Sequence, residues 1–103
     1  MTSKQGNDGG RFGAPLFAFG QVVATPGALR ALEAAHASPA PLLVRHARGD
    51  WGSVDEHDKR ANDAAVKQGL RVISAYVLDD GTKVWIITEA DRSSTTILLP
   101  EEY

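Results

Sequence analysis

The sequence predicts an α+β fold, with two helices packed on one face of an antiparallel sheet of about four strands and a β-meander at the C-terminal end. Two segments have helical periodicity and capping residues, and the last third of the chain has apolar strands around an Asp-Gly turn. Of the 103 residues, 43% are hydrophobic, which is typical of a soluble globular chain. The length fits one domain, predicted over residues 15–103.

The first predicted helix begins after Thr25 and ends by Ser38. Thr25 is a good N-cap, and Pro26 suits a first helical position, where no N–H is needed. Because the prolines after Ser38 cannot continue this helix, Leu42–Val44 is predicted as a short buried strand. Residues 16–24 are apolar and also favour a strand.

The second predicted helix runs from Ser53 to about Gln68. Ser53 and Glu56 fit a capping box, and Gly69 is typical of the residue beyond a helix end. The helical periodicity of this segment places Asp58 among apolar residues on the face that is predicted to point inward. A carboxylate in that position needs a partner. We therefore expect His46 or Arg48 of the preceding loop to contact this helix.

Strands are predicted over Val72–Leu78, Lys83–Thr88 and Thr95–Leu99. An Asp-Asp-Gly-Thr sequence joins the first two as a hairpin, with Tyr76 opposite Trp85 across the strands. The last strand is predicted to be exposed, and its edge could pair with a second copy of the chain to form a homodimer.

Composition and charge exclude several classes of function. No cysteine is present, so disulfides and thiolate metal sites are excluded, and the three histidines lack the spacing of a zinc site. A net charge of −2 disfavours broad nucleic-acid binding. No segment is predicted to cross a membrane or act as a signal peptide, so a cytoplasmic location is expected. Residues 1–14 are polar and glycine-rich and are predicted to be a disordered tail; no metal or cofactor is predicted.

The stretch Arg45–Gly52 (RHARGDWG) is the first candidate site. His46 can transfer protons near neutral pH, and Arg48 can bind phosphate or carboxylate. A buried polar network that fixes the loop to the second helix explains the same residues, so both interpretations stay open. The candidate ligand-binding residues are Asp50, Trp51, Asp58, Asn62, Tyr76, Thr88 and Thr95.

Two further polar or aromatic clusters lie on the predicted sheet. Arg92 and the hydroxyls of Thr88–Thr96 can hold an anion such as phosphate, or they form an ordinary solvated turn. Ser74, Tyr76 and Trp85 can stack on a nucleobase, or they pack at the edge of the core. An RNA or a protein partner is thus left open.

From residue 20 onward, five pieces of sequence support a family resemblance: GQVVATPGAL, RHARGDWG, Asp58 with Asn62, SAY at 74–76, and WIITEADRSSTTILLPEEY. In them the chain resembles a family of small bacterial proteins carried on plasmids, integrative elements and phage-like islands. The resemblance implies a mobile-element protein with either an accessory role or a ligand- or partner-binding role.

A more distant resemblance is to toxin-type endoribonucleases of the barnase and RelE kind. Their order of elements, with helices before an antiparallel sheet, is similar to the order predicted here. This resemblance implies metal-independent RNA cleavage, with His46 as general acid or base and Arg48 and Arg92 on the scissile phosphate.

Overall fold

The structure is a computed structural model that describes residues 14–103. The predicted disordered tail, residues 1–14, lies outside this range except for Ala14. The described elements, in chain order, are β1 (Gln21–Ala24), α1 (Pro26–Ala34), α2 (Pro39–Ala47), α3 (Glu56–Gln68), β2 (Val72–Val77), β3 (Lys83–Thr88), β4 (Ser94–Leu98) and a 3-10 helix (Pro100–Glu102). The α+β class and a sheet of four strands are confirmed.

The four strands form a mixed sheet in the order β1-β4-β3-β2. The pairs β2–β3 and β3–β4 are antiparallel, but β1 is parallel to β4, with Val22 beside Thr95. The expectation of a purely antiparallel sheet is therefore wrong at β1. No local turn sets the direction of β1, because three helices and a hairpin separate it from its partner. The predicted free edge on the C-terminal strand is also wrong, since β4 lies between two strands.

Leu42–Val44 belongs to helix α2 and not to a strand. Ser38 caps this helix through the backbone N–H of Ala40, and the prolines occupy its first turn. First-turn residues have no intrahelical acceptor for their N–H groups, so proline begins this helix and does not exclude it. The described residues therefore contain three α-helices where the sequence predicted two.

Helix α3 begins later than predicted. Asp55, and not Ser53, is its N-cap and accepts a hydrogen bond from the Asp58 N–H at 2.8 Å. Ser53 instead belongs to the segment beside β2, where its N–H donates to the Ala75 carbonyl at 2.7 Å. Asp58 lies in the exposed first turn of α3, whose buried residues are Asn62 and Ala65, so the inward placement of Asp58 is wrong. The predicted helix end at Gly69 is confirmed.

The β2–β3 hairpin differs from the prediction by one residue in register. Tyr76 pairs with Val84, and Trp85 pairs with Ala75. The cause is a connection wider than the Asp-Gly turn alone, closed by a hydrogen bond from the Leu78 N–H to the Thr82 carbonyl. Because side chains alternate along a strand, Trp85 lies on the opposite face from Tyr76.

The two faces of the sheet have different surroundings. Helices α1 and α2 cover one face and form the main core with Ala28, Leu32, Leu42, Tyr76, Leu78, Val84, Ile86 and Ile97. We call the other face the open sheet face; it carries Ile73, Ala75, Val77, Lys83, Trp85, Ile87, Thr96 and Leu98. In the described chain, the 3-10 helix packs on β3, and α3 lies along the outer edge of β2.

Candidate functional site

His46 lies in a chain of buried hydrogen bonds between α2 and the sheet. Its Nδ1 atom is 2.5 Å from Oγ of Ser74, and its Nε2 atom is 2.9 Å from Oγ1 of Thr88. Thr88 contacts the Thr95 hydroxyl at 2.7 Å, and Thr95 donates to the Phe19 carbonyl at 2.9 Å. The four side chains of this chain, those of His46, Ser74, Thr88 and Thr95, all belong to residues with 0% exposure. We call them the His46 network.

The Phe19 carbonyl sets the direction of every hydrogen bond in the His46 network. A carbonyl only accepts, so the Thr95 hydroxyl donates to it and accepts from Thr88. Thr88 has then used its hydrogen and accepts from the Nε2–H of His46. A neutral imidazole has one N–H, so Nδ1 accepts from the Ser74 hydroxyl. The neutral form of His46 is therefore the Nε2–H tautomer, with neither ring nitrogen available to a ligand.

The electrostatic surroundings agree with a neutral ring. Burial, and to a lesser extent the positive charge of Arg92, lower the pKa of His46 from 6.5 to about 4. A general acid or base needs a pKa near the working pH and must reach the reacting group. His46 meets neither condition in this geometry, and its contacts hold α2 against β2, β3 and β4.

The stretch Arg45–Gly52, predicted as a loop, begins in the last turn of α2 and is held by its own residues and by two neighbours. Arg45 Nε and Asp50 Oδ2 form an ion pair at 2.7 Å, and Tyr76 donates to the Asp50 carbonyl at 2.7 Å. The buried Trp51 donates from its indole to Asp63 of α3 at 3.0 Å. The loop therefore does contact α3, but through Trp51 and not through the predicted His46 or Arg48.

The outer edge of β2 is closed by this loop and by α3. Ala75 donates its N–H to the Trp51 carbonyl at 3.0 Å and accepts from the Ser53 N–H. The Asn62 side chain donates to the Ile73 carbonyl at 2.8 Å and accepts from the Ile73 N–H at 3.1 Å. Asn62 thus takes the place of a neighbouring strand and satisfies the backbone N–H and carbonyl of Ile73. Unpaired groups at a sheet edge would otherwise be available to pair with another strand.

Arg92 binds backbone carbonyls at the end of α3. Its guanidinium donates to Leu70 at 2.7 Å and to Ala65 and Glu89 at 3.1 Å each. It also lies 5.3 Å from the centre of the Phe17 ring. A cation at a helix C-terminus is favoured by the helix dipole, so these contacts explain Arg92 as a cap.

The predicted catalytic residues do not form one accessible cluster. His46 is buried, Arg48 is exposed just beyond α2, and Arg92 is bound to carbonyls. The two predicted polar clusters do meet, but inside the protein, where His46 joins Thr88 and Thr95.

A groove of about 720 Å³ lies on the open sheet face, between α3 and the C-terminal residues. Ile73, Ala75 and Trp85 contribute to its floor, which is mostly apolar. This volume lies within the range typical of ligand-binding clefts, about 300–1,000 Å³. Its lining residues at the two walls and ends include Asp55, Asp58, Ala61, Asn62, Arg71, Val77, Lys83, Pro100 and Tyr103.

Aromatic rings and charges define the chemistry of the groove. Trp85 and Tyr103 pack edge to face, with ring centres 5.5 Å apart. Arg71 is paired with Glu89 at 3.1 Å and donates to the Tyr103 hydroxyl at 3.0 Å. On the α3 side the groove presents carboxylates, so it offers apolar contact beside negative charge.

Asp55, His57 and Asp58 place ligand-type atoms within 4.8 Å of one another on the exposed start of α3. Acidic residues are expected there because they stabilise a helix N-terminus. This arrangement therefore carries no metal assignment.

The sequence analysis identified part of the groove. Asp58, Asn62 and Tyr76 line it, as do Arg71 and Tyr103, which were not predicted. The sequence does contain one indication of the apolar groove floor. Val84–Ile87 is apolar at four consecutive positions, a pattern typical of a strand with apolar residues on both faces.

Comparison with protein-family models, curated proteins and solved structures finds no match for this chain. The mobile-element and nuclease resemblances stay predictions. Among the described residues, no helix has the length and apolar character needed to cross a membrane.

Proposed function

We propose that this protein is a non-catalytic binding module whose groove on the open sheet face holds a segment of another protein. The observation that carries the proposal is the apolar composition of a face that no α-helix covers in the described chain. Sheets with one solvated face usually alternate apolar and polar residues. Ile73, Ala75, Val77 and Trp85 depart from that pattern on β2 and β3.

Exposure along β2 supports a docking surface at one end of the groove. Val77 is 50% exposed and lies beside the partly buried Ala75 and Trp85. Contiguous apolar surface with a polar rim is characteristic of interaction sites. The carboxylates of α3 and the cations Arg71 and Lys83 supply that rim.

A protein segment suits the groove better than RNA does. The exposed carboxylates of Asp55 and Asp58 would repel phosphates, whose neutralisation by Lys and Arg provides most nucleic-acid affinity. The endoribonuclease alternative is not proposed, because His46 is buried and neutral. The proposal also includes an accessory role in a mobile element, which rests on the sequence resemblance. It includes a cytoplasmic location, which rests on the composition.

Site-specific photocrosslinking in cells tests the proposal. A photoreactive amino acid is placed at Val77 in the groove or at Val44 on α2, two valines with 50% and 51% exposure. We expect a discrete protein adduct from position 77 only, and its loss when Trp85→Ala is added. Equal adducts from both positions, or none from position 77, would contradict the proposal. An adduct with the mass of two chains would identify the partner as a second copy.

A further inference from the structure

Resting on the proposed function, we infer that the bound segment presents a Lys or Arg next to an apolar residue. The cation lies between the carboxylates of Asp55 and Asp58 and the Trp85–Tyr103 ring pair. The apolar residue packs on Ile73, Ala75 and Val77. The groove is thereby a site for a basic-apolar peptide of a partner protein.

The charges along the groove favour a cationic ligand. Arg71 is already neutralised by Glu89 at 3.1 Å, which leaves Lys83 as the opposing cation in the lining. Asp55 and Asp58 are both exposed at the start of α3. Among the described ion pairs, their one partner is the histidine His57, whose Nδ1 lies 3.5 Å from Asp58. Within the lining, two carboxylates, Asp55 and Asp58, thus have no Lys or Arg partner among the described ion pairs, and Lys83 is the one cation without an acidic partner there.

The aromatic pair gives the cation a second point of contact. Lys and Arg are attracted to the faces of Trp and Tyr rings, because those faces carry partial negative charge. Contacts of this kind occur within the described residues, with Arg45 4.6 Å from the Tyr76 ring centre and Arg92 5.3 Å from that of Phe17. Tyr103 is exposed, so its ring can also receive a ligand.

The geometry of an extended peptide sets the spacing of the two recognised side chains. In an extended peptide, residues two apart lie on the same side and are separated by about 6.6 Å. An Arg-x-Leu pattern therefore directs both side chains into the groove at once. An extended peptide can lie on the open sheet face over β2, with the exposed Val77 at one end of the strand. It does not pair with the outer edge of β2, which is closed.

Calorimetric titration of the purified full chain tests the inference with three synthetic peptides that differ at one position. Their sequences are Gly-Arg-Ser-Leu-Ser-Gly, the same with Gln for Arg, and the same with Glu for Arg. We expect the Arg peptide to bind about tenfold more tightly than the Glu peptide, as two rim carboxylates each contribute a modest Coulombic effect. High salt should reduce this difference because exposed charges are screened.

Matched double variants locate the effect. Asp55→Asn with Asp58→Asn should weaken binding of the Arg peptide about fivefold, and Asn keeps the helix cap. Glu33→Gln with Asp79→Asn changes the net charge equally at two residues that do not line the groove, and should leave that affinity unchanged. Trp85→Ala should weaken the Arg peptide more than the Glu peptide.

The outcomes separate the inference from the proposed function. If the three peptides bind with equal affinity and Trp85→Ala weakens them all, the preference for a cationic residue is refuted. Binding of a protein segment in the groove is then still supported. Absence of binding by all three overturns the inference, and the photocrosslink at Val77 then decides whether a different segment uses the groove. Equal effects of the two double variants also overturn the inference.

Discussion

Replacing His46 with alanine is expected to lower the free energy of unfolding by about 4 kcal/mol. The substitution removes two hydrogen bonds, each with a net stabilisation of about 1 kcal/mol. It also leaves the Ser74 hydroxyl without its acceptor and empties a fully buried site against Phe17 and Trp51. Truncation of a buried aromatic side chain to Ala typically costs about 3 to 5 kcal/mol. A domain of this length has a total stability of about 5 to 15 kcal/mol.

Urea unfolding followed by circular dichroism measures this change. With a slope of about 2 kcal/mol per molar urea, the midpoint should fall by about 2 M. His57→Ala is the control, because its side chain is 91% exposed and should change stability by less than about 0.5 kcal/mol. A catalytic histidine typically sacrifices stability for function, so its removal would be neutral or stabilising. A loss below about 1 kcal/mol in His46→Ala would refute the structural role.

The same variant should have a different pH dependence. The pKa of His46 is lowered by burial from 6.5 to about 4 in the folded protein. Between these values the unfolded chain binds a proton at this residue and the folded chain does not, so stability falls as pH falls. The loss is about 3 kcal/mol between pH 7 and 4, at about 1.4 kcal/mol per pH unit of difference. His46→Ala should lack this component, and parallel pH profiles for the two proteins would contradict the buried neutral ring.

Substitutions at Asn62, Gly52 and Arg92, with Gly81 as a control position, test how the fold holds the groove. Asn62→Leu should cost about 2 to 3 kcal/mol and increase light scattering on heating, because it frees both backbone groups of Ile73 at the β2 edge. Gly52→Ala should cost at least about 3 kcal/mol, since its Cβ would lie 2.0 Å from a backbone oxygen, whereas Gly81→Ala, in open space, should cost about 1 kcal/mol from its positive φ. Arg92→Gly should be less destabilising than Arg92→Ala by about 1 kcal/mol, because both lose the helix cap but only Gly relieves the positive φ of 60°. Urea midpoints that do not follow these orders would contradict the corresponding contacts.

Local signals in the sequence explain the parts of the fold that were predicted. Thr25 and Pro26 locate the start of α1, and Gly69 locates the end of α3, because each acts on groups within a few residues. The apolar runs around the Asp-Gly turn likewise identify the β2–β3 hairpin. These features depend on neighbouring backbone geometry, which the sequence specifies directly.

The wrong predictions concern segments whose local sequence is compatible with two structures, and a contact with a distant part of the chain selects one of them. The prolines near Pro39 are compatible with the end of one helix or the start of another, and burial of Leu42 against the sheet accompanies the second choice. The Asp-Gly turn allows more than one loop length, so the face of Trp85 was assigned incorrectly. The parallel pairing of β1 with β4 joins segments far apart in the chain, which no local pattern specifies.

The candidate site was predicted by composition but not by geometry. His46, Thr88 and Thr95 were each identified, yet their meeting inside the core depends on the packing of α2 on three strands. Asp58 was predicted to be the inward partner of the loop, but α3 starts two residues later than predicted and turns Asn62 and Ala65 inward. The carboxylate of Asp58 lies in the exposed first turn instead, at the rim of the groove.

The two tryptophans provide the most direct test of binding in the groove. Trp51 is buried and bonded to Asp63, whereas Trp85 lies on the groove floor. NMR of the two indole N–H resonances during titration with the Arg peptide should show a shift for Trp85 and none for Trp51. A shift of Trp51 together with the amides of the Arg45–Gly52 loop, and no response from Trp85, would contradict the account.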